Sequence, residues 1–460
     1  MTDERGSLTV EQHSIDFIPL SQRYGTPLRL FTTWFSINLS IVCLTVGTLG
    51  IGAGLSFGWA ALALALGNAI GTVFMAAHSA QGPHLGIPQM IQSRAQFGVM
   101  GAALPLVAVV VTYTLYTAAN AVIVRESLKA LMPFGDDTTM IIFGIITLVI
   151  AYIGYELIHR MGAFLAIISA ALFATAVILL LRRHDAAPIA IVSSSAPFQS
   201  AAFMLTLTQA AAWSLSFGPY VADYSRYLPD TVSTWSTFWY TAIGNFFGAT
   251  LLMILGAYLA AYDPKISADP GTGLADLFGR GGYIVRILIV VGVLEGNVMN
   301  LYSAYMSTTT IVTGARSMKR VGGGLKFLLL LILIAAATWI AVATREHFDL
   351  YFGDMLSAMI YILVPWSAIN LADYYIVRRG RYVIADMFNV NGIYGRYRWT
   401  GIITYLLGIL VQVPFMSLSF YTGAVARALG ADIAWVPGLV VPAVLYCMVE
   451  KGRPAATAGN

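Results

Sequence analysis

Apolar residues in this chain run in long blocks. They do not form the short amphipathic stretches that fold around a water-soluble core. About 20 consecutive apolar residues, at 1.5 Å rise each, cross the hydrocarbon layer of a bilayer. Twelve blocks reach or approach that length, at 31–55, 58–80, 101–124, 139–158, 162–181, 201–225, 237–261, 284–313, 325–343, 353–376, 401–421 and 433–450. Two boundaries are slight: a short turn near Ser56–Gly58, and the polar stretch Glu156 to Arg160 between the fourth and fifth blocks. The pattern predicts an all-α polytopic membrane protein with about 12 transmembrane helices. It divides the chain into an N-terminal segment 1–30, a ten-helix core 31–376, a connection 377–400, two C-terminal helices 401–450 and a tail 451–460.

Composition agrees with a chain solvated by lipid. Hydrophobic residues make up 58% and charged residues 10%, against about 25% charged in soluble domains. A water-soluble globule with so few charges would expose large apolar patches. The net charge of +4 is small, and no basic patch points to nucleic acid. Most of the Lys and Arg residues fall in alternate connections, notably 314–326 and 377–400. By the positive-inside rule both termini are expected in the cytoplasm, and the protein in a cell inner membrane. Residues 1–28 are polar, carry Arg5 and Arg23 and contain no apolar core, so no cleaved signal peptide is expected. Cys43 and Cys447 each sit inside an apolar run, without metal-ligand spacing, and read as packing residues.

Helix breakers cluster in two spans. The first holds Gly47, Gly50, Gly52 and Gly54, and the sixth holds Ser216-Phe217-Gly218-Pro219. Proline removes a backbone donor, and glycine beside it weakens the helix further. Either run by itself fits a simple kink. Interrupted helices at matching positions of two halves point instead to a transporter with internal repeats and a mid-membrane site. Backbone groups freed at that depth must line a cavity or be buried in protein. The first and sixth helices are therefore expected to be discontinuous.

Polar residues inside the spans are costly and so informative. Tyr113, Tyr116 and Asn120 share one face of the third span. A ring offers a stacking surface for a flat heterocycle, and an amide offers a donor and an acceptor to its edge. Packing between helices would use the same residues. The eighth span places Glu295, Asn297 and Asn300 in an apolar helix. An acid at that depth is a functional candidate, and desolvation favours its neutral form. A structural hydrogen bond from a permanently neutral Glu295 is the alternative. Asp223 and Arg226 suggest a structural pair at the mouth of span six, His78 and His84 read as structural, and Asp373 and Tyr374 as interfacial. No metal cluster, nucleotide-binding loop or nucleophile–base pair is legible, so neither an enzyme nor a cofactor is expected.

Three stretches carry a family resemblance: Gly82-Pro83-His84-Leu85-Gly86-Ile87-Pro88-Gln89 through Gly98, Ala222-Asp223-Tyr224-Ser225-Arg226-Tyr227-Leu228-Pro229, and Asn297-Val298-Met299-Asn300-Leu301-Tyr302-Ser303. In this order they resemble the nucleobase:cation symporter-1 family, in its purine–cytosine permease branch. The resemblance implies two inverted five-helix repeats plus two helices, with substrate between spans one, three, six and eight. It implies substrate contacts at Ser36, within Trp-x-Ser-x-Asn, at Tyr116 and Asn120, and at Asn300. Tyr116 stands where Trp is common in the family. The family's span-six Trp falls on Phe217, with Trp213 nearby as the alternative. Sodium-coupled members carry hydroxyls five and six positions before the span-eight Asn. Here those positions hold Glu295 and Leu294. A hard-cation site has thus lost its oxygens and gained a titratable acid, which implies proton coupling, with sodium the less favoured partner.

The expected function is a symporter importing cytosine or a purine with a cation, which Glu295 indicates to be H+. The same fold carrying uracil, allantoin, a hydantoin or a hydroxymethylpyrimidine vitamin precursor is the alternative. A membrane-embedded enzyme or a channel is more distant, because the chain lacks convergent catalytic groups, and a channel needs no matched pair of broken helices.

Overall fold

The computed structural model of the chain describes residues 16–132, 134–153, 155–182, 191, 197–263, 266, 269–316 and 322–451. Most of the expected N-terminal segment, the tail after Lys451, and Arg183, Lys319 and Arg320 lie outside the described residues. The described chain is a helical bundle whose one sheet is a two-stranded hairpin, Ser417–Leu418 with Tyr421–Thr422.

All twelve expected spans are helical. The first is α1 (Leu28–Ile37) and α2 (Ile41–Gly52), joined at a 60° bend. Then come α3 (Phe57–Ser79), the short pair α4 (Gly82–Leu85) and α5 (Gln89–Phe97), and α6 (Ala103–Leu131). Helices α7 (Asp136–Ile153) and α8 (Tyr155–Leu181) place the fourth boundary before the expected Glu156–Arg160. Span six is α9 (Ser200–Ser216) and α10 (Gly218–Ser225), with Phe217 ending one and capping the other. Further on lie α11 (Thr234–Tyr262), α12 (Pro270–Leu277), α13 (Gly282–Arg316), α14 (Gly323–Thr344) and α15 (Phe348–Leu371). The last spans are α16 (Trp399–Leu410) and, after α17 (Ala424–Leu429), α18 (Trp435–Glu450). Span eleven is shorter than the expected 401–421, because Pro414 and the hairpin end it early.

The break in span six is where Gly218-Pro219 places it. The break in span one is not at the glycines. It falls at Asn38-Leu39-Ser40, where Ser40 caps α2 through Cys43 N at 3.3 Å. The glycines serve packing instead. A Cβ on Gly47 would come within 1.9 Å of the Met253 carbonyl on α11, so the two backbones meet there. Small residues permit such close approach between membrane helices.

The packing carries an internal two-fold relation. Span six packs on span two as span one packs on span seven, while spans two and seven, and three and eight, pair with each other. Those are the contacts that two inverted repeats produce. Large apolar side chains face outward, for example Trp235, Trp239, Phe247 and Leu251 along α11. In a bilayer that surface meets lipid.

One end of the bundle holds residues 82–98 and 378–398 and is rich in arginine. At this basic end, Asp223 Oδ1 accepts from Gln89 N at 2.8 Å and caps α5. Arg94 is buried, donating to Met387 O at 3.1 Å and Thr310 O at 3.3 Å. Burial pushes its pKa down to about 10, still well above neutrality. Asp373, expected at an interface, is fully buried. It accepts from Gln96 Nε2 (2.6 Å), Arg378 Nε (3.0 Å), Tyr382 Oη (2.8 Å) and Tyr446 Oη (2.9 Å). A turn of π-helix, Ala372–Val377, presents it to all four partners.

Candidate functional site

The two broken spans are tied together by buried side chains. Asn38, at the break in span one, donates to Asn245 Oδ1 at 3.0 Å and to Trp34 O at 2.7 Å. Its own Oδ1 accepts from Trp213 Nε1 at 2.7 Å, on the first half of span six. Asn245 Nδ2 continues to Thr72 Oγ1 (2.7 Å) and Ser214 Oγ (3.0 Å), and Ser214 Oγ donates to Asn68 Oδ1 (2.9 Å). Four spans thus share one network in a dry interior, where partly satisfied polar groups are expensive and fully satisfied ones fix geometry.

Rings gather on that frame. Tyr116 meets Trp213 edge-on at 5.8 Å, and Trp213 meets Phe217 edge-on at 5.7 Å. Tyr116 Oη donates to Ser216 Oγ at 3.1 Å, which itself donates to Trp213 O at 2.7 Å. Spans three and six are therefore locked beside the break. The structure brings Tyr116 and Phe217 together and puts Trp213 between them. With its N–H committed to Asn38, Trp213 presents only ring surface. Trp34 packs on Phe217 (5.7 Å), and Tyr113 on Tyr220 (5.4 Å).

The amides approach from spans three and eight. Asn120 is buried, yet its carboxamide makes no hydrogen bond among the described residues. A Cβ on Gly296 would stand 3.9 Å from Asn120 Nδ2, so the missing side chain leaves the amide room. Asn300 lies one turn along α13 from Gly296, partly buried and likewise without a hydrogen bond among the described residues. Glu295, beside Gly296, is partly buried and has no ion pair or hydrogen bond there. Ser36 makes no hydrogen bond to the ring cluster among the described residues. It turns its hydroxyl back to Thr33 O at 3.1 Å. No group of three His, Cys, Asp or Glu among the described residues could hold a metal ion.

Sequence reasoning passed over Asn38 and Trp34, which the fold places here. Asn38 and Trp34 belong to the Trp-x-Ser-x-Asn stretch, which was a signal, but burial and partners were not readable from it. Asn297 is 1% exposed, and neither polar atom of its carboxamide has a partner among the described residues. The candidate histidine His78 is structural. It bonds Ser367 Oγ at 2.8 Å and stacks on Trp366 at 4.6 Å. Arg226 donates to Asp223 O at 3.3 Å and Asp16 O at 3.2 Å.

A family model described as permease for cytosine/purines, uracil, thiamine, allantoin matches residues 17–438. A Bacillus subtilis protein, YxlA, provisionally named a purine-cytosine permease, is 38% identical over 98% of both chains. The purine-cytosine permease fcyB of Emericella nidulans is 24% identical, covering 95% of this chain and 88% of its own. Among solved structures, the inward-facing conformation of Mhp1 superposes with a TM-score of 0.74 at 17% identity, over 98% of this chain and 95% of that one. A closed conformation of Mhp1, a nucleobase-cation-symport-1 transporter with bromovinylhydantoin bound, gives 0.71 at 16%, over 96% and 94%.

Proposed function

The chain belongs to the permease family for cytosine/purines, uracil, thiamine and allantoin, and on that premise we propose that it is a symporter importing cytosine or a purine base together with a proton. The observation that carries the reading is the ring cluster of Tyr116, Trp213 and Phe217 beside the break in span six, with amides on spans three and eight, Asn120 and Asn300, that have no partner among the described residues. Names of the relatives in Bacillus and Emericella favour purines and cytosine over the family's other cargoes.

In this reading the base lies against Tyr116 and Phe217, whose faces accept any flat heterocycle. Asn120 and Asn300 select among bases, since each carries a donor and an acceptor without a partner among the described residues. A site built around a ligand's hydrogen-bonding groups rejects analogues lacking them far more strongly than an apolar pocket does. Ser36 joins them only if α1 moves, because its hydroxyl now faces Thr33. The protein sits in the inner membrane with both termini in the cytoplasm, which puts the basic end inside.

Glu295 supplies the coupling. It has neither basic partner nor donor among the described residues, so its charge would be exposed to a poorly solvating interior on closure. A proton removes that cost. Coupling is reciprocal, so bound base raises the affinity for the proton. Uptake into proteoliposomes should rise as external pH falls, collapse with a protonophore and ignore sodium. Glu295→Gln should bind and exchange base yet lose accumulation. Sodium-dependent, pH-independent uptake, or full accumulation by Glu295→Gln, would sink the proton mechanism.

A further inference from the structure

We propose that a second substrate subsite lies one helical turn toward the basic end from the Tyr116–Phe217 site, walled by Trp34, Tyr113, Phe217, Tyr220 and Tyr224. It rests on the transport reading above and adds a station on the route of release.

The ordering follows from chain direction. Helix α6 leaves the basic end, so Tyr113 precedes Tyr116 by one turn, about 4.5 Å. Helix α10 runs toward that end, so Tyr220 and Tyr224 follow Phe217. Helix α1 rises from the same end, and Trp34 stands one turn before the break at Asn38. The rings form a continuous wall: Trp34 to Tyr220 at 6.0 Å and to Tyr224 at 5.3 Å, Tyr113 to Tyr220 at 5.4 Å, and Phe217 to Tyr220 at 5.9 Å.

Two donors in this wall have no acceptor among the described residues. Trp34 is 0% exposed and Tyr113 2%, and neither Trp34 Nε1 nor Tyr113 Oη has a hydrogen-bond partner. Buried indole and phenol groups ordinarily find one. Both side chains pack on Tyr220, so the rings that carry the unmet donors border the same residue. A heterocycle with an exocyclic carbonyl or an unprotonated ring nitrogen supplies the missing acceptors, and the aromatic faces supply stacking. In this structure the rings fill the space themselves. The subsite opens when the half-helices α1 and α10, each separated from its other half by a break, draw away from α6.

The test uses the full chain in proteoliposomes, with radiolabelled cytosine and hypoxanthine as probes. Tyr113→Phe and Trp34→Phe delete the donors and keep the rings. Equilibrium binding of each base should stay within about twofold, because the first site is intact. Maximal uptake should fall about tenfold, the scale of one hydrogen bond to a ligand. Preference for hypoxanthine over purine, which lacks the carbonyl, should shrink in uptake but not in binding. If Trp34→Phe does not fold, Tyr113→Phe decides alone. Wild-type uptake and wild-type preference in the folded variants would overturn the subsite and leave the donors as packing groups or water ligands. Absence of uptake of any base by the unmodified chain would overturn the transport reading, and the subsite with it.

Discussion

The tie between the broken spans can be tested at Asn38. Its carboxamide takes one hydrogen bond, from Trp213 Nε1 at 2.7 Å, and gives two, to Asn245 Oδ1 at 3.0 Å and Trp34 O at 2.7 Å. The side chain is fully buried, so no water replaces what a substitution removes. Asn38→Ala leaves Trp213 Nε1 and Asn245 Oδ1 without this partner. Each buried group so stranded costs about 1–3 kcal/mol, giving roughly 2–6 kcal/mol for the pair. For 460 residues unfolding as one unit, that corresponds to on the order of 1 °C per kcal/mol. Thermal unfolding of the detergent-purified variant should therefore show Tm lowered by roughly 2–6 °C. Trp213→Phe removes the donor itself, so the double variant strands one group fewer. Trp213→Phe alone strands Asn38 Oδ1, so the double-mutant cycle should show coupling of two groups, about 2–6 kcal/mol, the combined loss being smaller than the sum. A Tm within experimental scatter of wild type, or strict additivity, would refute the claim that this bond holds spans one and six in register.

Other substitutions probe the remaining parts of the argument. Tyr116→Ala and Phe217→Ala should each weaken base binding by about 1–3 kcal/mol, by analogy with base–aromatic stacking, while Tyr116→Trp retains it; calorimetry on the purified variants reads this directly. Gly71 allows α3 to touch span six, since a Cβ there would lie 2.3 Å from Ala211 O; Gly71→Ala should cost about 1–3 kcal/mol in thermal unfolding through overpacking. Asp373→Asn should destabilise by about 3–5 kcal/mol, because Arg378 loses its buried carboxylate, and Asp373→Glu should recover only part of the loss.

The bilayer made much of this fold legible. Lipid demands long apolar runs, so the twelve spans stand out one by one, and Gly218-Pro219 marks the break in span six because proline cannot continue a hydrogen-bond ladder. Tyr116 and Asn120 were readable for a related reason, since a polar or ring-bearing face inside a span needs an explanation, whereas Phe217 came only from the family resemblance. What a side chain meets across the bundle is not written in its own helix. The break in span one came at Asn38-Leu39-Ser40, not at the glycines, because Gly47 faces the Met253 carbonyl and works as a contact surface. Asp373, the last turn of span ten by sequence, became a buried hub only when Gln96 and Tyr446 from distant segments joined the nearby Arg378 and Tyr382 around it. Asn297 and Asn300 are indistinguishable as carboxamides in an apolar run. One turn of helix sets them apart, so that one is sealed without partners while the other stays partly open. Periodicity and cost in lipid fix the elements; pairing between elements, which depends on rotation of each helix about its axis, is settled only by the packed whole.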